Sequence, residues 1–381
     1  MEHEVIVVGA GPGGATAAMD LAQKGHDVLL VDRVKFPRDK TCGDAIPAGA
    51  IDILALLGMK EKIAQADFYP VDSMLMVSPQ GHTFVSHFNL SLAGSESYVV
   101  PRLKFDNLLY QHALDSGAAF CQANVIEPLM DRGRVVGVRV RRNGSIQDIR
   151  AHLVIAADGA TSALARALRP DKHQDMHRAV AIRAYLDDFV EIAHQVEFYF
   201  YKDVLPGYAW IFPTEEGQVN IGLGIRIDYF RQMRGNLEKM LDQFINIPDI
   251  KKRFKTTTRL HDLSTWQLNF GSQKMQRAYE GALLVGDAAC LINPLTGGGI
   301  HNAIISAQLA AAAAHQALQI GDFSREQLKS YEDECDATLW PGMKRSFFMQ
   351  HWLLRFPFLV DLLIRSMGAN SSFAQTFLTK L

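Results

Sequence analysis

The 381-residue sequence predicts a mixed α/β fold in which a parallel-sheet domain is interrupted by strand-rich insertions and followed by a helical C-terminal region. Three observations carry this prediction. A β-branched apolar run, a glycine-rich turn and an Ala-rich helical segment open the chain in that order. Two later apolar runs, Leu153-Val154-Ile155-Ala156-Ala157 and Ala282-Leu283-Leu284-Val285, each lead into a carboxylate beside a glycine. Between these landmarks the chain is dominated by short segments with the two-residue alternation of strands.

At the front, Glu4 to Val8 reads as a buried strand and Ala15 to Lys24 as a helix stopped by Gly25. The turn between them, Gly9-Ala10-Gly11-Pro12-Gly13-Gly14, fits the GxGxxG pattern of a Rossmann-like dinucleotide site. Such glycines make a tight turn, let backbone approach a pyrophosphate (a role expected of Gly14) and let helix and strand pack closely. The helix N-terminus then offers unpaired N–H groups to phosphate. A second strand, Asp27 to Val31, ends at Asp32, whose carboxylate suits ribose hydroxyls, and Arg33 follows it. This fingerprint alone admits either FAD or a nicotinamide nucleotide.

Further along, Val135 to Val140 followed by Asn143-Gly144 reads as a strand and hairpin turn. Strand patterns also cover Ser73 to Val77, Thr83 to Ser86, Ala179 to Tyr185, Val196 to Tyr201, Tyr208 to Phe212 and Val219 to Ile225. The resulting division puts 1–65, 99–165 and 275–325 in a discontinuous nucleotide-binding domain. It puts 66–98 and 166–274 in a substrate domain with an antiparallel sheet, and 326–381 in the helical region. In Tyr208-Ala209-Trp210-Ile211-Phe212-Pro213, alternation places Tyr208, Trp210 and Phe212 on one face and Ala209 and Ile211 on the other. Phe198 and Phe200, with Tyr199 or Tyr201, are expected to extend this aromatic wall, which suits a long apolar ligand.

With 48% hydrophobic and 21% charged residues, the chain is long enough for more than one core, and its net charge of −2 carries no nucleic-acid footprint. Cys42, Cys121, Cys290 and Cys335 show neither CxxC spacing nor a histidine at ligand spacing, so neither a disulfide framework nor a metal site is expected. No run reaches the roughly 20 uncharged residues that span a bilayer. The segment 347–367 comes nearest, but His351, Arg355, Asp361 and Arg365 interrupt it and Pro357 kinks it. Two arrangements are open for it: a peripheral helix in a membrane interface, with its basic residues at headgroup level, or a pair of short helices packed across the substrate domain. With the first strand starting near Glu4, a cytoplasmic location is expected, peripheral on the membrane face in the first of these arrangements.

The GxGxxG turn, then Asp158-Gly159-Ala160-Thr161-Ser162, then Gly286-Asp287-Ala288-Ala289 with Pro294-Leu295-Thr296-Gly297-Gly298-Gly299, resembles in its order the flavoprotein superfamily built on the hydroxybenzoate-hydroxylase plan. The resemblance implies non-covalent FAD. It implies cofactor contacts from Gly9, Gly11, Pro12, Gly13, Gly14, Asp32, Arg33, Cys42, Gly43, Arg102, Val125, Asp158, Gly159, Gly286 and Pro294. Asp287 would bind the ribityl hydroxyls, and Gly297-Gly298-Gly299 would lie at the isoalloxazine edge.

Lys40-Thr41-Cys42-Gly43-Asp44-Ala45-Ile46-Pro47 and Pro206-Gly207-Tyr208-Ala209-Trp210-Ile211-Phe212-Pro213 are similar, more narrowly, to signatures of the geranylgeranyl reductase family, which saturates isolated double bonds in polyprenyl chains. That resemblance implies an oxidoreductase acting on an apolar prenyl-bearing substrate, with hydride from reduced flavin N5 and a proton from an acid. Tyr208, Trp210 and Phe212 would contact substrate. Cys42, Tyr208 and Trp210 would carry the chemistry, the proton coming from Tyr208 or Cys42. Lys40 and the helix start near Pro47 are expected to lower the Cys42 pKa. Asp44 departs from the family, whose members usually have a second glycine there. No second dinucleotide fingerprint follows, so NADPH, NADH or reduced ferredoxin is expected as a transient electron donor. Two alternatives stay open. One is a flavin monooxygenase or halogenase, although the halogenase W-x-W-x-I-P pattern here has Tyr208 in place of its first tryptophan. The other is an electron-transfer flavoprotein to quinone, which the scattered cysteines do not equip with an iron–sulfur centre.

Overall fold

The computed structural model describes residues 2–88, 94–169, 173–190, 193–255, 258, 260–370 and 373–374. Its first sheet is built on strand Glu2–Val8, which lies between Val28–Asp32 and Ser145–Ala156 and runs parallel to both. Ala119–Gln122 extends the sheet on one side and Ala282–Leu284 on the other, again in parallel. Both faces of the central strand are covered, which is why it reads as an unbroken apolar run. Val5 and Val7 face a core shared with helices Pro12–Gln23, Arg102–Asp115 and Ile300–Ile320, whose Ala15, Ala18, Phe105, Leu109, Ala307 and Ala310 are buried. Ile6 and Val8 face the opposite core with Val138, Val154 and Leu339. Strands Asn124–Asp131 and Arg134–Arg142 complete an antiparallel three-stranded insert with the first half of Ser145–Ala156. Its tight turn has Asn143 and Gly144 at φ 50° and 79°, the left-handed pair that a two-residue hairpin favours.

The second sheet has seven strands in the order Leu260–Asn269, Arg178–Leu186, Gln218–Arg226, Tyr208–Glu215, Gln195–Tyr199, Ser73–Val77 and Thr83–His87. All neighbours are antiparallel except Gln195–Tyr199 with Ser73–Val77, which are parallel because the chain passes through the first domain between them. One face, with Ala209, Ile211, Ile221 and Leu223, packs on helix Leu237–Ile245 through Met240, Leu241 and Phe244. The other, with Trp210 and Phe212, turns toward the first domain. Strand parity corrects one expectation here. Tyr199 and Tyr201 lie on the helix side against Phe244, whereas the even-numbered residues extend the wall as expected, Phe198 packing with Tyr208 and Phe212 and Phe200 with Tyr208.

Beyond the first domain, helix Arg325–Phe348 continues through a turn, Met349–Leu353, to helix Pro357–Ala369. Val360 and Ile364 bury with Leu205 and Leu354 beside the edge strand Thr83–His87. Among the described residues no helix is long and apolar enough to cross a membrane.

Candidate active site

Because Glu2–Val8, Ser145–Ala156 and Ala282–Leu284 run parallel, their C-terminal ends deliver Gly9, Asp158 and Gly286-Asp287 to one place. Ligands bind beyond the carboxyl ends of such strands. The place is a cavity of about 830 Å³ between the two sheets. Two helices begin at it, Pro12–Gln23 after Gly11 and Ile300–Ile320 after Gly299, and neither N-terminus has a capping side chain. Both therefore present free N–H groups and a positive dipole end to whatever fills the cavity.

Every expected cofactor residue lines this cavity except Gly14. A Cβ at Gly14 would sit 1.7 Å from the Gly9 carbonyl oxygen and 3.1 Å from the Ala157 methyl. Its work is to close the turn onto the strand ends, and Gly11 and Gly13 are the glycines at the cavity wall. Asp32 accepts the Ala10 N–H at 2.8 Å and the Val34 N–H at 2.9 Å. It pins the glycine turn while lining the cavity with its remaining lone pairs. Asp106, fully buried behind the wall, receives both Arg102, at 2.6 and 2.7 Å, and Arg38, at 2.7 Å. Those two guanidinium groups line the cavity, as does Lys40, 3.5 Å from Asp287.

Opposite this polar wall stand Tyr208, Trp210 and Phe212. The Trp210 ring lies over Gly222, where a Cβ would be 2.4 Å from it, and its indole N–H donates to Asn220 Oδ1 at 2.9 Å. The Tyr208 hydroxyl donates to the Thr296 carbonyl and thereby ties the wall to the Pro294–Gly299 turn. A Cβ on Gly297, at φ 66°, would come within 2.8 Å of that hydroxyl, so the turn requires glycine for both shape and space.

Cys42 sits in the same wall, but its expected acidity is overturned. Burial pushes the thiol up, outweighing the opposing pull of Arg102 and Lys40. Burial also raises the Tyr208 hydroxyl, helped by Cys42. Next to them Asp44 is fully buried at φ 65°, a left-handed conformation that glycine adopts most readily and Asp tolerates. Its carboxyl accepts the Tyr185 hydroxyl at 2.6 Å and the Asn220 amide at 2.7 Å. Burial raises it to about 7 against those bonds and the charges of Arg183 and Arg102. Sequence reasoning marked Asp44 as a departure without placing it in the site, and it missed Arg38, Trp266 and Gln350, which also line the cavity.

The residues fit a flavin dinucleotide: uncapped helix ends and guanidinium groups for phosphate, carboxylates at three strand ends for hydroxyls, and Asp158 with a buried Oδ1 that lacks a protein partner. Residues 2–346 match the family described as FAD binding domain. The chain belongs to this FAD-binding family. Its relatives place it further. It is 33% identical over 344 residues to digeranylgeranylglycerophospholipid reductase 2 of Methanopyrus kandleri, covering 87% of this chain and 82% of that one. It is 32% identical to the digeranylgeranylglycerophospholipid reductase of Thermoplasma acidophilum, with the same coverage of 87% and 82%. A solved geranylgeranyl bacteriochlorophyll reductase-like protein from T. acidophilum superposes with a TM-score of 0.87 at 29% identity, over 97% of this chain and 92% of that one. The protein is thus an FAD-dependent oxidoreductase of the geranylgeranyl reductase family. A flavin-dependent brominase with a TM-score of 0.81 at 19% identity, over 97% and 94% of the chains, shares the fold alone.

Proposed function

We propose that this FAD-binding protein saturates isolated carbon–carbon double bonds in the prenyl chain of a lipid. The observation that carries the reading is the aromatic face of Tyr208, Trp210 and Phe212, turned onto the cavity that the cofactor residues surround. FAD, once reduced, supplies the hydride. An isolated trisubstituted alkene has no carbonyl to hold negative charge, so proton addition leads or accompanies hydride addition and positive charge grows on the tertiary carbon. Tyr208 and Trp210 offer π faces to that charge, and with Phe212 they keep water from it. Within this reading Asp32 would hold ribose hydroxyls, Asp287 the ribityl chain and Gly297-Gly298-Gly299 the flavin ring, and Arg102 and Arg38 would meet anionic groups. The reducing equivalents would come from a transient donor, NADPH, NADH or reduced ferredoxin.

A prenyl lipid must be drawn from a bilayer, and one turn joins the cavity to a surface suited to that. Gln350 is buried at the cavity wall with its amide donating to the Pro294 carbonyl, whereas Trp352 is 52% exposed. Phe348, Phe358 and Leu362 are exposed on the same C-terminal segment, as are Arg355 and Arg365. We assign this patch to the interface of an anionic membrane, where aromatic side chains insert and basic ones meet headgroups. The protein is expected to sediment with anionic liposomes at low salt, and replacing Phe348, Trp352 and Phe358 together by serine is expected to abolish that.

The function is tested by reducing bound flavin with dithionite under argon, adding a digeranylgeranyl glycerophospholipid, and following flavin reoxidation with product mass. Addition of two hydrogens per double bond supports the proposal. Reoxidation that depends on oxygen and adds an oxygen atom or a halogen would replace it with the monooxygenase or halogenase alternative.

A further inference from the structure

The cavity wall contains an acid that the reaction as described leaves unused. Asp44 lies between Cys42 and the strand Ala45–Ile46, fully buried, and lines the cavity. Its two oxygens are in unequal surroundings. Oδ2 accepts from the Tyr185 hydroxyl at 2.6 Å and from Asn220 Nδ2 at 2.7 Å, whereas Oδ1 is buried without a protein partner. A carboxylate with one bare buried oxygen is costly; protonating Oδ1 removes that charge while both donors stay on Oδ2, and the O–H so formed has no protein acceptor to hold it.

The neighbouring cations are engaged elsewhere. Arg102 is bonded twice to Asp106, and Arg183 donates to Asp39 at 2.7 Å. Cys42 and Tyr185 are the other titratable neighbours, and burial raises both, which keeps the thiol and the phenol neutral. Burial is the largest influence on Asp44 and raises its carboxyl to about 7. Asn220 links the acid to the site: its Nδ2 also donates to the Cys42 carbonyl at 2.8 Å, and its Oδ1 accepts the Trp210 indole N–H. Acid, thiol loop and aromatic wall are therefore fixed as one unit.

We propose that Asp44, as a neutral carboxylic acid, holds the proton that saturation of the double bond consumes. This rests on the reductase reading above. The proton leaves Oδ1 and the alkene π pair forms the new C–H bond at one carbon; the hydride supplied by the reduced cofactor adds to the other. The carboxylate left behind stays bonded to Tyr185 and Asn220 and regains a proton from water after product leaves.

Asp44→Asn keeps an acceptor for Tyr185 and suits the left-handed backbone, and Asp44→Gly removes the side chain without strain. Infrared difference spectra of the FAD-loaded enzyme without substrate are expected to show a protonated-carboxyl band at about pH 5 that bleaches by about pH 9 and is absent from both variants. In single turnovers of the pre-reduced enzyme, both variants are expected to lose about 100-fold or more in rate at unchanged FAD content. They are also expected to lose the decline in rate that the parent shows as pH rises through about 7. Absence of the band, or variants that keep the parent rate and pH profile, would overturn the proposal. A parent enzyme that shows the band but saturates no prenyl lipid would overturn the reductase reading, and with it Asp44's part in that reaction.

Discussion

Replacing Asp106 by alanine removes the anion behind the cavity's cationic wall. Its carboxylate is fully buried, holds Arg102 through two bonds of 2.6 and 2.7 Å, and holds Arg38 at 2.7 Å. Arg102 is itself 5% exposed, so water replaces the lost partner poorly and only from the cavity side. Leaving a buried charge uncompensated costs about 3–5 kcal/mol, far more than the net worth of the intact pair. Asp106→Asn retains an acceptor oxygen but sets an amide N–H against a guanidinium, so an intermediate loss of about 1.5–3 kcal/mol is expected. The assay is the denaturant midpoint of FAD-free protein near neutral pH, read alongside FAD bound per chain after reconstitution. The order expected is parent, Asp106→Asn, Asp106→Ala in both readings. Asp333→Ala, at the exposed Lys329–Asp333 pair of 3.6 Å, is expected to leave the midpoint where it was. An Asp106→Ala midpoint within about 1 kcal/mol of the parent would refute the claim that this carboxylate holds the wall.

Four further outcomes follow from the same geometry. The Asp44 carboxyl moves from its ordinary 3.8 to about 7 on folding, so the neutral form favours the folded state below the unfolded value. That stabilisation is lost as pH rises toward 7, at up to about 1.4 kcal/mol per pH unit, and Asp44→Asn should flatten this part of the stability profile of FAD-free protein. Gly14→Ala, which drives a methyl into the Gly9 carbonyl, should yield insoluble or FAD-free chain by absorbance of the purified product. Asp287→Ala should give mostly apoprotein with unchanged far-ultraviolet circular dichroism; full flavin occupancy would remove Asp287 from the cofactor site. Cys42→Ser and Cys42→Ala should lower turnover at intact FAD content, and because burial keeps the thiol protonated, alkylation of Cys42 should stay slow near neutral pH.

The parts of the molecule visible in the sequence are those set by local rules. Glu4 to Val8 shows its strand because both faces are buried, and the turn after it shows because Gly9, at φ 96°, and Gly14, whose Cβ would strike the Gly9 carbonyl, have no room for a side chain. The aromatic face of Tyr208, Trp210 and Phe212 follows from strand parity alone, and the same parity, applied strictly, separates Tyr199 and Tyr201 from it. Strand Leu260–Asn269 stayed hidden for a physical reason. Asp262 is left-handed at φ 51° and the pairing with Arg178–Leu186 shifts beside it, so Leu260, Leu263, Trp266 and Leu268 do not alternate. With that strand went Trp266. The groups around Asp44 and Asp106 come together only in the fold: Tyr185 and Asn220 are 141 and 176 residues from Asp44. The sign of the Cys42 shift likewise depends on burial, which a nearby lysine in the sequence does not reveal.

Overall shape does not separate reduction from halogenation, since a brominase at 19% identity shares the fold at a TM-score of 0.81. The distinction has to come from which groups face the reacting carbon. Reduction of an unactivated alkene needs a proton source in dry surroundings and a surface that tolerates positive charge. Here Asn220 joins the two, bonding the Asp44 carboxyl with its amide N–H and accepting the Trp210 indole N–H with its oxygen. Turning that one amide over would set an N–H against the indole N–H and a carbonyl against the Asp44 oxygen, so its orientation is determined by its neighbours. Asn220→Asp would place a second carboxyl 2.7 Å from the first and force the pair to share a proton. If the proton on Asp44 is what the reaction consumes, that variant should shift the pH dependence of turnover while FAD binding persists. A merely structural role for Asn220 would instead lower stability and leave the pH profile in place.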